Sequence, residues 1–371
     1  MGFVRETEAP RLAAPAGTIG FAAWAREKLY PTPLSGLGTL LIASLFIVVG
    51  WNLFQWAGLR AVWSAPDREL CAVEGAGACW PFVFAKFHQW IYGLYPFEER
   101  WRVNIVYILG IISLAGLLIP SAPAKKWNAL FFFVIFPIIS FYLFYGGVFG
   151  LPKVETDYWG GLTLTLIIAL TGIVTSVPFG ILLALGRQSK MPVVKLLSVI
   201  FIEGVRGVPF ITVLFMASVM FPLFMPPGVN PDKLLKAIIG GGMFASAYMA
   251  EVVRGGLQAI PRGQIEAAQA LGLSYWKMMR LIVMPQALKI VIPGIVNSFI
   301  SLFQDTSLVT IIGLFDLLGI VQAGFNDAKW KSPQTGNTGY LALAVIFFIF
   351  CFSMSRYSQY IERRTNRGLK K

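Results

Sequence analysis

Two short strings in this 371-residue chain set an acid and a base at helical spacing: Glu203-Gly-Val-Arg206-Gly and Glu251-Val-Val-Arg254-Gly. Residues three apart are neighbours on a helix face, so each string can hold an ion pair. Both fall near the ends of apolar runs, where ionised groups are costly and usually serve a purpose. They read either as interfacial pairs with snorkelling arginines or as a gate or cross-brace between membrane spans. A third set, Asn297, Ser301 and Gln304/Asp305, recurs at intervals of three or four and draws a polar stripe on an otherwise apolar helix. Asp305-Thr306-Ser307 then ends that helix near membrane depth, where irregular backbone is tolerated mainly if it is buried in protein or lines a water-filled cavity. The stripe reads as the lining of a substrate path, with hydrogen bonding between helices as the alternative.

No set of residues points to catalysis. There is no GxxxxGK[ST] phosphate loop, no His pair and no Ser/His/Asp combination. The single histidine, His88, has no ligand cluster near it and reads as a packing or interfacial residue, so no metal site is expected. Any ATP hydrolysis coupled to this chain therefore has to occur on another one, and no cofactor is expected here.

The elements that position these residues are membrane spans. The chain is 56% apolar and 13% charged, more apolar surface than a soluble domain can hide. Its fold class is all-α integral membrane protein with about eight transmembrane helices. Apolar runs place them at about 34–57, 103–119, 130–150, 161–186, 209–225, 237–250, 287–304 and 340–355. The first is too long for a signal-peptide core. A tail at 1–33 precedes it, with a short helix near 21–29, and a basic tail at 357–371 closes the chain. The loop 58–102 is long and aromatic, and its piece 80–95 reads as interfacial. Cys71 and Cys79 lie in that loop and can pair in an oxidising compartment or remain thiols. A run from 193 to 202 reads as an interfacial helix leading into the crossing at 209.

Net charge is +13, which could suggest nucleic acid, but Lys and Arg are spread over loops and termini. Summed over alternate sides, nineteen lie with both termini and the 254–280 loop, against ten on the other side. The positive-inside rule then puts both termini and that loop in the cytoplasm. Membrane lipid, not nucleic acid, is the expected surroundings.

The loop reads EAAQALGLSYWKMMRLIVMP from Glu266 to Pro285. Residues 264–271 can form two helical turns with Ile265, Ala268 and Leu271/Gly272 on one face. Gly272 can end them in the left-handed conformation. Ser274 can cap a second helix carrying Trp276, Lys277 and Arg280. This string resembles the EAA loop of ABC importer permeases. The longer stretch from Glu251 to Leu308 resembles the polar amino acid branch of that family (histidine, glutamine or general L-amino acid permeases), and the resemblance covers roughly 158–363.

The resemblance implies a type I importer permease core at 158–356, carrying five spans. Residues 34–157 are then an N-terminal extension with three transmembrane helices and a long extracytoplasmic loop at 58–102. It implies an ATPase subunit, with ATP and Mg bound there, docking on Glu266, Ala267, Ala268 and Gly272. It implies a second permease, here expected to be a homologue in a heterodimer, and an extracytoplasmic amino-acid-binding protein. The membrane would be the bacterial inner one. Members of the family commonly carry Lys where this chain has Gln304, so charge at that position gives no guide to the substrate. The rival reading is a secondary carrier, which would show inverted repeats and coupling acids at midplane. Asp305 is the one acid near such a break.

Overall fold

The computed structural model describes residues 20–119, 121–226, 228–229 and 231–366. The tail before residue 20 and the last five residues of the basic tail lie outside them. A short helix, Phe21–Lys28, leads into α1 (Pro33–Leu59), whose start is fixed by a capping box between Thr32 and Ser35. Then come α2 (Trp80–Tyr92), α3 (Phe97–Leu118), α4 (Lys125–Tyr145), α5 (Gly161–Arg187), α6 (Pro192–Arg206), α7 (Phe210–Phe224), α8 (Lys233–Gln258) and α9 (Arg262–Ala270). Helix α10 runs through Tyr275–Met278, Met279–Val283 and Met284–Ile290 with a wide turn in the middle. It is followed by α11 (Ile292–Ile312), α12 (Leu317–Gly324) and α13 (Thr335–Asn366). No β-strand occurs among the described residues, which show isolated bridges alone.

Six helices are long and apolar enough to cross a membrane: α1, α3, α4, α5, α11 and the Thr335–Arg364 part of α13. The pair α6 and α7, bent by 106° where Gly207, Val208 and Pro209 interrupt the helix, makes a seventh if the two count as one span. The bend falls between the helix expected at 193–202 and the one expected from 209. The remaining expected crossing corresponds to α8, whose 26 residues exceed the run 237–250, extending toward 256, that the sequence shows. At 1.5 Å per residue it spans about 39 Å. It is too rich in Gly and charge to be recognised by apolarity alone, and α5, α6, α7, α10 and α11 pack against it. Asp232 starts it, its carboxylate accepting from the Leu234 and Leu235 amides at 2.8 and 3.1 Å. The α11 helix turns to tighter 3-10 geometry at Thr306, immediately after Asp305.

The extension is tied to the rest at one end. Cys71 and Cys79 form a disulfide. The Cys79 amide donates to Thr338 Oγ1 at 2.8 Å, and Trp56 Nε1 donates to Gln334 Oε1 at 2.8 Å. Helix α2, expected at the interface, packs one face into protein, with Phe82 and Trp90 buried against Leu317, Ile320, Val321 and Leu343, and leaves Phe84 and Phe87 exposed on the other. His88 stacks on Tyr92 within α2. The end of α2 meets the start of α5 backbone to backbone. A Cβ on Gly93 would sit 2.3 Å from the Gly160 Cα, and one on Gly161 (φ +61°) would sit 2.3 Å from the Trp90 carbonyl oxygen. The most apolar stretch of α1, by contrast, has no buried residue.

Candidate functional site

Three features converge on α8: a cavity, a cluster of charges at one end of it, and the short helix α9. The cavity holds about 420 Å³ between α5, α8 and α11. Asn297, Ser301 and Asp305 line it, spaced four apart so that they share one face of α11. Ser176 of α5 and Phe244 and Tyr248 of α8 form the opposite walls. Gln304, expected with them, is turned away, and its Nε2 approaches Cys351 Sγ on α13 at 3.7 Å. The reason is angular: residue 304 lies one position off the 297/301/305 row and faces α13, where Phe303 also packs. Thr163 and Thr165 of α5 bond to neighbouring segments, Thr163 to Tyr107 at 2.7 Å and Thr165 to the Leu317 amide at 3.0 Å. Thr171 and Thr175 bond back to their own helix.

At the Arg-rich end of α8 the two acid–base strings come together, with a partner that the spacing did not reveal. Glu251 Oε1 accepts from Arg254 Nε at 2.9 Å, as expected at i, i+3. Glu251 Oε2 lies 3.4 Å from Arg206 Nη1 and 3.5 Å from Arg187 Nη1. Glu203 does not pair with Arg206; it pairs with Arg187 at 2.7 Å. Arg187 is the last residue of α5, and α5 and α6 pack side by side, so the tertiary partner outcompetes the local one. Three guanidinium groups thus share two carboxylates, and Glu251 is the hub. Tyr248 joins cluster and cavity. It lines the cavity, and Arg206 lies over its ring, 5.5 Å from the centroid.

Helix α9 ends in a Schellman motif. The Leu273 amide donates to the Ala268 carbonyl and the Gly272 amide to the Gln269 carbonyl, with Gly272 at φ +70°. A second helix follows at Tyr275, although Ser274 makes no side-chain cap bond. Glu266, Ala267 and Gly272 are exposed, as are Leu271 (79%) and Trp276 (69%). Ala268 is not available to a partner. It is 1% exposed and packs in a cluster with Met278, Met279, Val253 and Ile202. Its small side chain therefore serves the chain's own core, and Leu271, expected on the same face, is splayed outward. Ala268→Leu is expected to destabilise the fold by about 1–3 kcal/mol through overpacking. Ala267→Leu, on the exposed side, should leave thermal stability unchanged; melting of the two purified variants checks the contrast.

Sequence reasoning also missed Asp316. It is fully buried and accepts from the Gly319 amide, the Leu318 amide and Thr310 Oγ1 at 3.0, 3.2 and 2.8 Å, which makes it the cap of α12. An Asp three residues before Gly in an apolar run was the available signal. No group of residues able to hold a metal occurs among the described residues.

Residues 176–367, just over half the chain, match the family described as binding-protein-dependent transport system inner membrane component. The chain is 52% identical to the inner membrane amino-acid ABC transporter permease protein YhdY of Escherichia coli (strain K12), with 93% of each chain covered. It is 41% identical to the glutamate/glutamine/aspartate/asparagine transport system permease protein BztC of Rhodobacter capsulatus, with 98% of each covered. It is 34% identical to the probable glutamine ABC transporter permease protein GlnP of Bacillus subtilis (strain 168), covering 56% of this chain and 92% of GlnP. GlnP thus has almost no length left to match the remainder, whereas YhdY and BztC match nearly all of it. A helical membrane chain with a helix–glycine–helix surface joined to its central span, matched over these lengths, belongs to the binding-protein-dependent transport system inner membrane components, the permeases of ABC importers.

Proposed function

We propose that this chain is one permease subunit of an importer for polar L-amino acids in the bacterial inner membrane, driven by ATPase subunits docked on α9. The observation that carries the mechanism is the seating of α9. Through Ala268 it shares a packed cluster with α10 and with α5, α6 and α8, the three helices that hold the Arg187–Glu203–Arg206–Glu251–Arg254 network. A push on α9 is then delivered to the charges beside the cavity, because close-packed interiors transmit strain. In this reading Glu266, Ala267 and Gly272 contact the ATPase, which holds ATP and Mg. The charge network is the cytoplasmic gate. Asn297, Ser301 and Asp305 line the path, with Gln304 beside it.

Both termini face the cytoplasm, as the nineteen-to-ten distribution of Lys and Arg supports. A homologous second permease completes the pore as a heterodimer, and an extracytoplasmic binding protein supplies the substrate. The names of YhdY and BztC support amino acids as the cargo, and that of BztC the polar ones. The test is gentle purification from the native membrane, followed by reconstitution with the recovered partners and the binding protein. ATP-dependent uptake of glutamate, glutamine, aspartate or asparagine is the expected result. Uptake by this chain alone, following an ion gradient, would replace the reading with a secondary carrier.

A further inference from the structure

Phe149 is the most exposed large apolar side chain among the described residues, at 93%. It is also one of two non-glycine residues there with positive φ, at 54°. The chain doubles back between Tyr145, the end of α4, and Val154. The Val154 amide donates to the Tyr145 carbonyl at 2.8 Å, Gly147 to Leu151 at 2.9 Å and Leu151 to Val148 at 3.0 Å. Phe149 and Gly150 (φ +73°) are the two central residues of the resulting turn. Two positive φ values in succession define a type I′ turn, which favours Asn, Asp or Gly at its first central position. A bulky aromatic there is sterically disfavoured, and its exposure to water is unfavourable as well. Among the described residues the ring is left almost wholly uncovered, so packing within the protein does little to offset either cost.

The hairpin is held firmly at its base. Arg102, fully buried, donates to the carbonyls of Pro152 and Leu143 at 3.1 and 3.3 Å, and Val154 is buried. Four residues from Tyr145 to Phe149 reach at most about 14 Å even when extended. The tip therefore stays near the end of α4, where Phe141 and Tyr142 are exposed and Lys153 Nζ lies 5.2 Å from the centre of the Tyr145 ring. Aromatic rings and a lysine at the end of a crossing helix mark the headgroup level of a bilayer.

We propose that the 145–154 hairpin is a lipid anchor, with Phe149 inserted into the boundary between headgroups and acyl chains. Insertion there removes the apolar ring from water and supplies what the strained turn lacks within the protein. The occupant is a phospholipid surface, because the hairpin leaves from, and returns to, the rim of a lipid-crossing helix. That the leaflet is the outer one rests on the orientation given above; insertion does not.

The test uses the full chain with Cys351→Ser, keeping the disulfide oxidised, and a nitroxide spin label at Phe149→Cys in nanodiscs of phosphatidylethanolamine and phosphatidylglycerol. Collision with oxygen, which partitions into lipid, is compared with collision with a water-soluble nickel chelate. Oxygen should dominate several-fold, as for a label at Phe141→Cys and opposite to one at Glu74→Cys in the exposed loop. A label at Val148→Cys gives an independent report if the tip variant does not fold. Nickel dominating at both turn positions, as at residue 74, would overturn the anchor and leave the tip facing a soluble partner. This readout does not depend on which compartment the hairpin faces, so its failure is distinct from failure of the transport reading.

Discussion

Gly272→Arg is expected to abolish recovery of the ATPase with this chain while leaving the chain folded. Gly272 sits at the left-handed end of α9, with no atom within 4 Å of where a Cβ would lie. An arginine there pays roughly 1–2 kcal/mol of backbone strain, tolerable for a helix end. Its Cβ has open space, and Gly272 is itself exposed with Ala267 and Leu271, so a long charged side chain there alters that surface. If that surface is the ATPase contact, a central obstruction should cost at least about 2 kcal/mol of binding, some 30-fold in affinity. Gly272→Asn is the control, since Asn tolerates the left-handed conformation and is compact; it should retain the ATPase. Co-purification with normal stoichiometry in Gly272→Arg, with the chain intact by size-exclusion chromatography, would remove α9 as the docking element.

The second large effect is expected from Glu251→Gln: ATP-driven uptake should fall at least tenfold, with the ATPase still bound. Glu251 is the carboxylate that meets Arg187, Arg206 and Arg254 together. With Gln in its place, three guanidinium groups face one another with Glu203 as the nearest anion, and Glu203 is already engaged by Arg187. The groups are partly exposed, so water screens part of the repulsion and global unfolding is not expected. What changes is the relative energy of the closed and open arrangements, and coupling energies of about 1–3 kcal/mol correspond to about 5–150-fold. Removing one cation as well, in Glu251→Gln/Arg206→Gln, should restore part of the uptake. Equal uptake in wild type and Glu251→Gln proteoliposomes would reduce the network to interfacial ion pairs.

Much of the fold could be read from the sequence because lipid imposes long apolar runs, and six crossings are of that kind. The bend at Gly207–Pro209 and the helix end at Gly272 were also legible, since each rests on local chemistry; the end expected at Asp305 is instead a change to 3-10 geometry, and α11 continues to Ile312. What local spacing could not reveal was decided by neighbours. Helix α8 carries glycines and charges along the faces against which five other helices pack. Arg187 joined the charge cluster from another helix, displacing the expected Glu203–Arg206 pair. Ala268 faced inward, although Ala267 beside it faces out. Gln304 departed from its stripe by one helical position, and α2 became part of a core that its own residues do not announce.

The glycine contact between Gly93, Gly160 and Gly161 bears on how modular this protein is. The resemblance draws a boundary near residue 158, as though a portable unit began there. Yet the first turn of α5 is shaped by the chain that precedes it. Cutting at 158 would strip Phe82 and Trp90 from Leu317, Ile320, Val321 and Leu343, leaving an apolar hollow open to water. The hairpin, the disulfide and α2 are therefore not ornaments fastened to a finished machine. A chimera between long and short permeases of this kind has to exchange α2 together with the ends of α5, α12 and α13 that meet it, because those four segments pack as one block.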